Sequence, residues 1–293
     1  MKPTLKPSTQ ERWFGLLRLH LQPAFPGALR AVTLAAAEGY IARRCAAGVA
    51  PSTVNRKVTM LKHMLARAVR WNYLGEYRLA QLKPLAEPEG RTRYLAPDEI
   101  APLLAACDFQ DARTALARGY LRPFVLVALN TGMRRNELLS LTRRSVDWAN
   151  RFVTLEKTKN GAVRHVYLNA TALETLRSLP ARIDDERLFP FTPSQISMAF
   201  GRAATRAGIN EFRLHDLRHT YASYHAMSGI QPRGLQALLG HRDARQTARY
   251  SHFADEYLRA AVERVNLGAL LESGPDRSKN GTYMAPAVVG DRG

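Results

Sequence analysis

Apolar residues recur at helical spacing along most of this chain, and the clearest run lies at about residues 52–70. Val54, Val58, Leu61, Leu65 and Ala68 step by four and three, which lays one apolar stripe along a helix. Ser52, just after Pro51, is the expected N-cap. Arg56, His63, Arg67 and Arg70 fall on another side of that helix, with Lys57 and Lys62 nearby. Two further helices are expected ahead of it, near 9–20 and 32–47. The pattern then breaks at KPLAEPEGRTR, residues 83–93, where prolines, a glycine and charges replace apolar periodicity, as in an interdomain linker. A new helix opens at Pro97, with Asp98 and Glu99 in its first turn and Ala96 as a weak N-cap.

From there helices are expected near 98–107, 113–130, 171–179, 193–207, 215–228, 232–239 and 254–271. One β region interrupts them. RFVTLEKTKNGAVRHVYL, residues 151–168, places two β-branched and aromatic runs around Asn160-Gly161, the strongest short hairpin signal. Lys159 then sits at the hairpin tip. Residues 273–293 lack any such pattern and read as a disordered tail. The expected organisation is a helical domain at 1–82, a linker at 83–94, a mostly helical domain with a small β-sheet at 95–272, and the tail.

Composition narrows the class. The 293 residues suffice for two domains or one large one, and 46% hydrophobic with 23% charged is ordinary for a globular protein in water. No run approaches the ~18 apolar residues of a membrane span. The opening MKPTLKPSTQ lacks a secretory pattern, so a cytoplasmic location is expected. Cys45 and Cys107 stand outside any metal-ligand spacing and read as small buried hydrophobes of a reducing compartment. The eight histidines form no zinc motif, and neither a dinucleotide nor a P-loop glycine pattern is present, so no metal or cofactor is assigned. The net charge is +18: residues 1–90 carry 14 Lys and Arg against 5 Asp and Glu, residues 91–271 carry 26 against 17, and the tail is balanced. An excess in both halves points to a polyanion, nucleic acid before membrane, although on charge alone a generally basic protein remains as good an account.

Three stretches carry candidate chemistry. TGMRRNELLSL, residues 131–141, puts Arg134 in the first turn of a helix with Glu137 three residues on. An arginine there adds its fork of donors to the helix dipole, which suits phosphate. RLHDLRHTYAS, residues 213–223, puts His215 and Arg218 on one helix face, with Arg213 and His219 pointing elsewhere. LLGHRDARQTARYSHF, residues 238–253, ends a helix at Gly240 and follows with His241 and Tyr250. Singly, these are an ion-paired surface arginine, a hydrogen-bonded core histidine and a packing tyrosine.

Jointly, the motifs T-G-M-R-x-x-E, a hairpin lysine, H-x-L-R-H-T, L-G-H and T-x-x-Y, in that order, resemble those of the tyrosine recombinases, or phage-type integrases. The matching residues are Arg134, Glu137, Lys159, His215, Arg218, His241 and Tyr250, within a resemblance spanning roughly 95–255. GVAPSTVNRKVTMLKHMLARAV, at residues 48–69, looks like part of that family's helical DNA-clamping domain. Arg56, Lys57, Lys62, Arg67 and Arg70 are accordingly candidate DNA contacts. Little precedes the first helix, so an additional arm-site-binding domain is not expected.

The resemblance implies a site-specific DNA recombinase, with both domains in a C-shaped clamp around duplex DNA. It further implies cleavage by Tyr250 to a 3′-phosphotyrosyl intermediate, strand exchange through a Holliday junction, and religation. Arg134 and Arg218 would clamp the phosphate and His241 would add a hydrogen bond. Nearby cations would lower the tyrosine pKa. Lys159 would protonate the leaving 5′-oxygen, His215 would take the tyrosine proton or steady the phosphate, and Glu137 would orient Arg134. Four protomers on two specific sites are implied, with an accessory directionality or DNA-bending factor as a further partner. The helix near 254–271 is expected to pack either in cis or on a neighbouring protomer. A type IB topoisomerase and a catalytically silent DNA-binding regulator stay open as alternatives.

Overall fold

The computed structural model of the protein describes residues 7–88, 91–109, 119–155, 163–180 and 186–253. They fall into two compact units that divide between residues 90 and 91. In the first unit, α1 (Pro7–Leu16) continues through a π-helical turn at Leu17–Leu21. Next comes α2 (Leu34–Ala46), capped by the Thr33 hydroxyl, which accepts from the Ala36 amide at 3.2 Å. The long α3 spans Pro51–Arg70. Its N-cap is Ala50 rather than Ser52: proline, with its preset φ and missing N–H, takes the first helical position and pushes the cap one residue back. The apolar stripe of α3 is buried in full, against Leu21, Val32, Tyr40, Leu79 and Leu82. The irregular stretch after residue 81 is pinned to α3. The Asn55 amide brackets the Leu85 backbone at 2.8 and 2.9 Å, and Lys62 Nζ donates to the Leu82 carbonyl at 2.6 Å. Cys45 is exposed, contrary to expectation, while Cys107 is buried and its thiol is pushed up to about 12 by desolvation.

The second unit begins with α4 (Pro97–Cys107). Ala96 cannot cap it through a side chain, and the Glu99 carboxylate instead reaches back to the Ala96 amide at 2.8 Å. There follow α5 (Leu121–Thr131), the five-residue α6 (Arg135–Leu139) and a three-stranded antiparallel sheet in the order β1-β2-β3. The strands are β1 (Val146–Asp147), β2 (Phe152–Leu155) and β3 (Arg164–Tyr167), with Val153 opposite Val166 and Leu155 opposite Arg164. Alternation buries Val153, Leu155 and Val166 on one face. The helices α7 (Ala170–Ser178), α8 (Pro193–Arg206), α9 (Asp216–Met227), α10 (Pro232–Leu239) and the four-residue α11 (Arg245–Ala248) complete it. In the core α5 packs against α7 and α9, and α4 against α8.

This is the mostly helical fold with a small sheet that the pattern predicts. The helix expected from 113 begins at Leu121, and residues 110–118 lie outside the described residues. So do Lys159 with the Asn160-Gly161 turn, the helix expected near 254–271 and the tail. No helix among the described residues is long and apolar enough to cross a membrane.

Candidate active site

Two helix ends organise the site. Both α5 and α10 stop at a left-handed glycine, Gly132 (φ 60°) and Gly240 (φ 60°), where a side chain would be strained. A Cβ on Gly132 would also lie 2.4 Å from the Tyr221 ring, and one on Gly240 would lie 2.2 Å from the Arg164 guanidinium. Helix C-termini leave carbonyl oxygens unpaired at the negative end of the dipole. Here three arginines take them up. Arg218, on the first turn of α9 and 3% exposed, donates from Nη1 to the Gly132 carbonyl at 2.5 Å and from Nη2 to the Leu239 carbonyl at 2.6 Å. Arg164, on β3, donates to the Leu238 carbonyl at 3.5 Å, and Arg134 to the Gly240 carbonyl at 3.5 Å.

Glu137 ties two of the arginines together. Its carboxylate accepts from Arg134 Nη1 at 2.9 Å, from the Arg134 amide at 2.9 Å and from Arg164 Nη2 at 3.1 Å. Arg134 itself is the N-cap of α6, in extended backbone, rather than a first-turn residue. Burial would raise the Glu137 pKa, yet the donated hydrogen bonds and both guanidinium charges hold it below the usual carboxylate range. Among the described residues, one carboxylate bonded to two of three guanidiniums leaves an excess of positive charge. Desolvation, aided by Arg134 and Arg164, depresses Arg218 to about 9, so it is still charged at neutral pH.

His215 precedes α9 as its N-cap and is exposed. With Arg134 and Arg213 it lines a cavity of about 610 Å³ between α6, α8 and the start of α9. Partial desolvation, with the Arg218, Arg134 and Arg249 charges, lowers its pKa. Asp216 is buried one residue on. It accepts from the Arg213 amide at 2.8 Å and from Arg91 at 3.2 Å, which fixes the entry to the helix. His241, in the loop after α10, meets the buried Thr247 hydroxyl through Nδ1 at 2.9 Å, and desolvation beside the arginines lowers its pKa to about 4. With Thr247 as donor, a hydrogen is left on Nε2.

Tyr250 is 2% exposed, packed with Tyr221, Ala222, Leu235 and Leu239. Its hydroxyl meets His219 Nδ1 at 2.5 Å, whereas the expectation turned His219 elsewhere and gave the tyrosine proton to His215. The ring of His215 stands edge-on to His219 at 5.1 Å. Burial lowers His219 to about 4 and raises Tyr250, outweighing the Arg249 and Arg218 charges that were expected to lower the phenol. Arg134, Glu137, Arg218, His241 and Tyr250 are thus gathered in one region, with His215 at its rim. Sequence reasoning missed Arg164 and Thr247 and misplaced His219. Its signals for them were the arginine at the base of the hairpin, the threonine of T-x-x-Y and the histidine beside Arg218.

The candidate DNA contacts on α3 divide. Arg56 and Arg70 are exposed, Arg67 lies over Trp71 at 5.8 Å, Lys62 is held by Leu82, and Lys57 is 3% exposed.

A model of the phage integrase family matches residues 93–257. The integrase of Escherichia phage P2 is 30% identical over 227 residues, covering 76% of this chain and 62% of that one. Tyrosine recombinase XerA of Saccharolobus solfataricus is 33% identical over 142 residues, covering 46% and 48%. The chain therefore spans less than two thirds of either relative. Among solved structures, a lambda integrase dimer bound to a COC′ core site superposes with a TM-score of 0.71 at 17% identity, over 98% of this chain and 95% of that one, a likeness of fold.

Proposed function

Because the chain belongs to the phage integrase family, whose model its residues 93–257 match, we propose that it is a site-specific recombinase acting on duplex DNA. The observation that carries this reading is the cluster of Arg134, Arg164 and Arg218 on helix-end carbonyls, with Glu137 as the one carboxylate bonded to them among the described residues, beside a tyrosine held by a histidine. A phosphodiester repels nucleophiles, and fixed guanidiniums offset the charge that grows as it is attacked.

The Tyr250 oxygen attacks the scissile phosphorus while the bond to the 5′-oxygen breaks, leaving a 3′-phosphotyrosyl link that conserves the bond for religation. Arg134 and Arg218 clamp the nonbridging oxygens and His241 donates through Nε2. The phenol proton passes to a histidine, with His219 in contact at rest and His215 at the rim. Lys159 protonates the leaving oxygen. Exchange proceeds through a Holliday junction in a tetramer, as the solved lambda integrase tetramer bound to a Holliday junction suggests by likeness of fold. The helical unit at 1–82, through Arg56, Arg67 and Arg70, adds phosphate contacts.

A duplex nicked near the cleavage site, which lets the severed end diffuse away, traps the intermediate. The expected result is a covalent adduct with wild type and none with Tyr250→Phe, which still binds duplex. Adduct persisting in that variant would refute the nucleophile. Relaxation of any plasmid without recombinants would replace this reading with a type IB topoisomerase.

A further inference from the structure

Thr247 lies in α11, three residues before Tyr250, and is 3% exposed. A helical threonine often returns its hydroxyl to the carbonyl four residues back. Thr131 on α5, Thr175 on α7, Thr205 on α8 and Thr220 on α9 all do so, at 2.6, 2.7, 3.1 and 2.9 Å. Thr247 does not. Its helix has four residues, so the carbonyl four back belongs to Asp243 in the preceding loop, where it receives the Gln246 amide. The Thr247 hydroxyl turns instead to His241 Nδ1, at 2.9 Å, and makes no other hydrogen bond among the described residues. His241 is fastened a second time through its backbone. Its amide donates to the Gln236 carbonyl at 3.1 Å, and the Gln236 side-chain amide donates to its carbonyl at 3.0 Å.

The ring nitrogen left over is Nε2. Burial, aided by the charges of Arg218, Arg134, Arg164 and Arg249, keeps the ring neutral at neutral pH, so one nitrogen carries a hydrogen and the other a lone pair. A bare Nε2 would turn its lone pair on a phosphate oxygen and repel it. A hydrogen on Nδ1 would oblige the Thr247 hydroxyl to accept, leaving its own hydrogen unplaced in a buried site. Both costs vanish when Thr247 donates. We propose that Thr247 is a positioning residue: its hydroxyl fixes His241 as the Nε2–H tautomer and thereby gives the phosphate clamp its donor at that point. The consequence for cleavage rests on the recombinase reading; the hold on the ring does not. The Tyr250 amide donates to the Thr247 carbonyl at 3.0 Å, so one turn of chain carries both the attacking tyrosine and the group that sets the clamp's donor. Displacing that turn would release the tautomer of His241 together with the tyrosine.

The test reads the tautomer directly. Nitrogen NMR of the imidazoles, recorded on the full chain at neutral pH without DNA, separates a protonated ring nitrogen from a bare one. His241→Gln identifies the His241 signals by their loss. Wild type should show Nε2–H, and so should Thr247→Ser, which keeps the hydroxyl. Thr247→Val, which keeps the shape, should show mixed tautomers or Nδ1–H. Adduct formation on the nicked duplex should slow by about tenfold to a hundredfold in Thr247→Val and recover in Thr247→Ser, the loss typical when a histidine is deprived of the group that orients it. Duplex affinity should stay unchanged in both. An Nδ1–H signal in wild type, a measurement that needs no variant, overturns the proposal. So does Nε2–H persisting in Thr247→Val, or Thr247→Val cleaving as fast as wild type. A Thr247→Ser protein as slow as Thr247→Val would reduce the threonine to packing and overturn it too. If wild type forms no adduct while the tautomers behave as expected, the recombinase reading falls and the hold of Thr247 on His241 stands.

Discussion

His219 and His241 are both held neutral inside the protein, and this sets a pH dependence at the scale of single residues. Each has a folded pKa of about 4, lowered from 6.5. A depressed histidine pKa means that the unfolded chain binds the proton more readily. The stability present above pH 6.5 is therefore lost as pH falls towards 4. Calorimetry should show the melting temperature dropping across that window. In His219→Gln, whose amide can still reach the phenol, the drop should shrink. A flat profile in wild type would contradict the burial. Arg164 makes a second residue-scale prediction. Its side chain and that of Glu137 are 12% and 16% exposed, so Arg164→Met leaves a largely buried carboxylate with Arg134 as its remaining guanidinium partner among the described residues. The expected cost is about 2 kcal/mol in urea unfolding, the loss of one charge-assisted hydrogen bond to a carboxylate that keeps its Arg134 contacts. A loss well under 1 kcal/mol would make the contact incidental. At this scale the sequence was legible in part. Motif spacing singled out Arg134, Arg218, His241 and Tyr250, which the fold gathers in one region. Contacts made between distant segments, such as Arg164 with Glu137 or His219 with Tyr250, leave no periodic trace in one chain.

Helix ends, rather than helix faces, build the arginine cluster at the scale of elements. Gly240 closes α10 at φ 60° with Arg164 filling the space where a side chain would go, while Gly208 at φ 71° faces open space. Gly208→Ala should cost about 1 kcal/mol, the strain of a left-handed alanine. Gly240→Ala should cost clearly more, because the Arg164 guanidinium must also move. Equal costs in denaturant unfolding would show that the arginine yields freely. Long elements were readable: the α3 stripe, the strands β2 and β3, and α7 to α10 follow from periodicity and turn residues. The four-residue α11 and the five-residue α6 are too short to express a period, and the cap of α3 moved because proline took the first helical position.

For the whole molecule, the net charge of +18 is divided evenly between residues 1–90 and 91–271. Duplex affinity should therefore fall steeply with salt, by roughly tenfold or more between 50 and 200 mM. A flat response would rule out phosphate-dominated binding. Composition alone makes this legible. What it could not give is where the charge faces solvent, since exposed arginines and a buried Lys57 count alike in a sum. The arginine cluster adds a consequence on a longer timescale. The oxygens that receive Arg218 belong to peptide groups, and no point substitution deletes a peptide oxygen. Neighbouring side chains can drift without unseating that guanidinium, provided the two glycines that let the chain turn are kept. Variation among descendants of this chain should thus crowd around the arginine's seat while sparing positions 132 and 240.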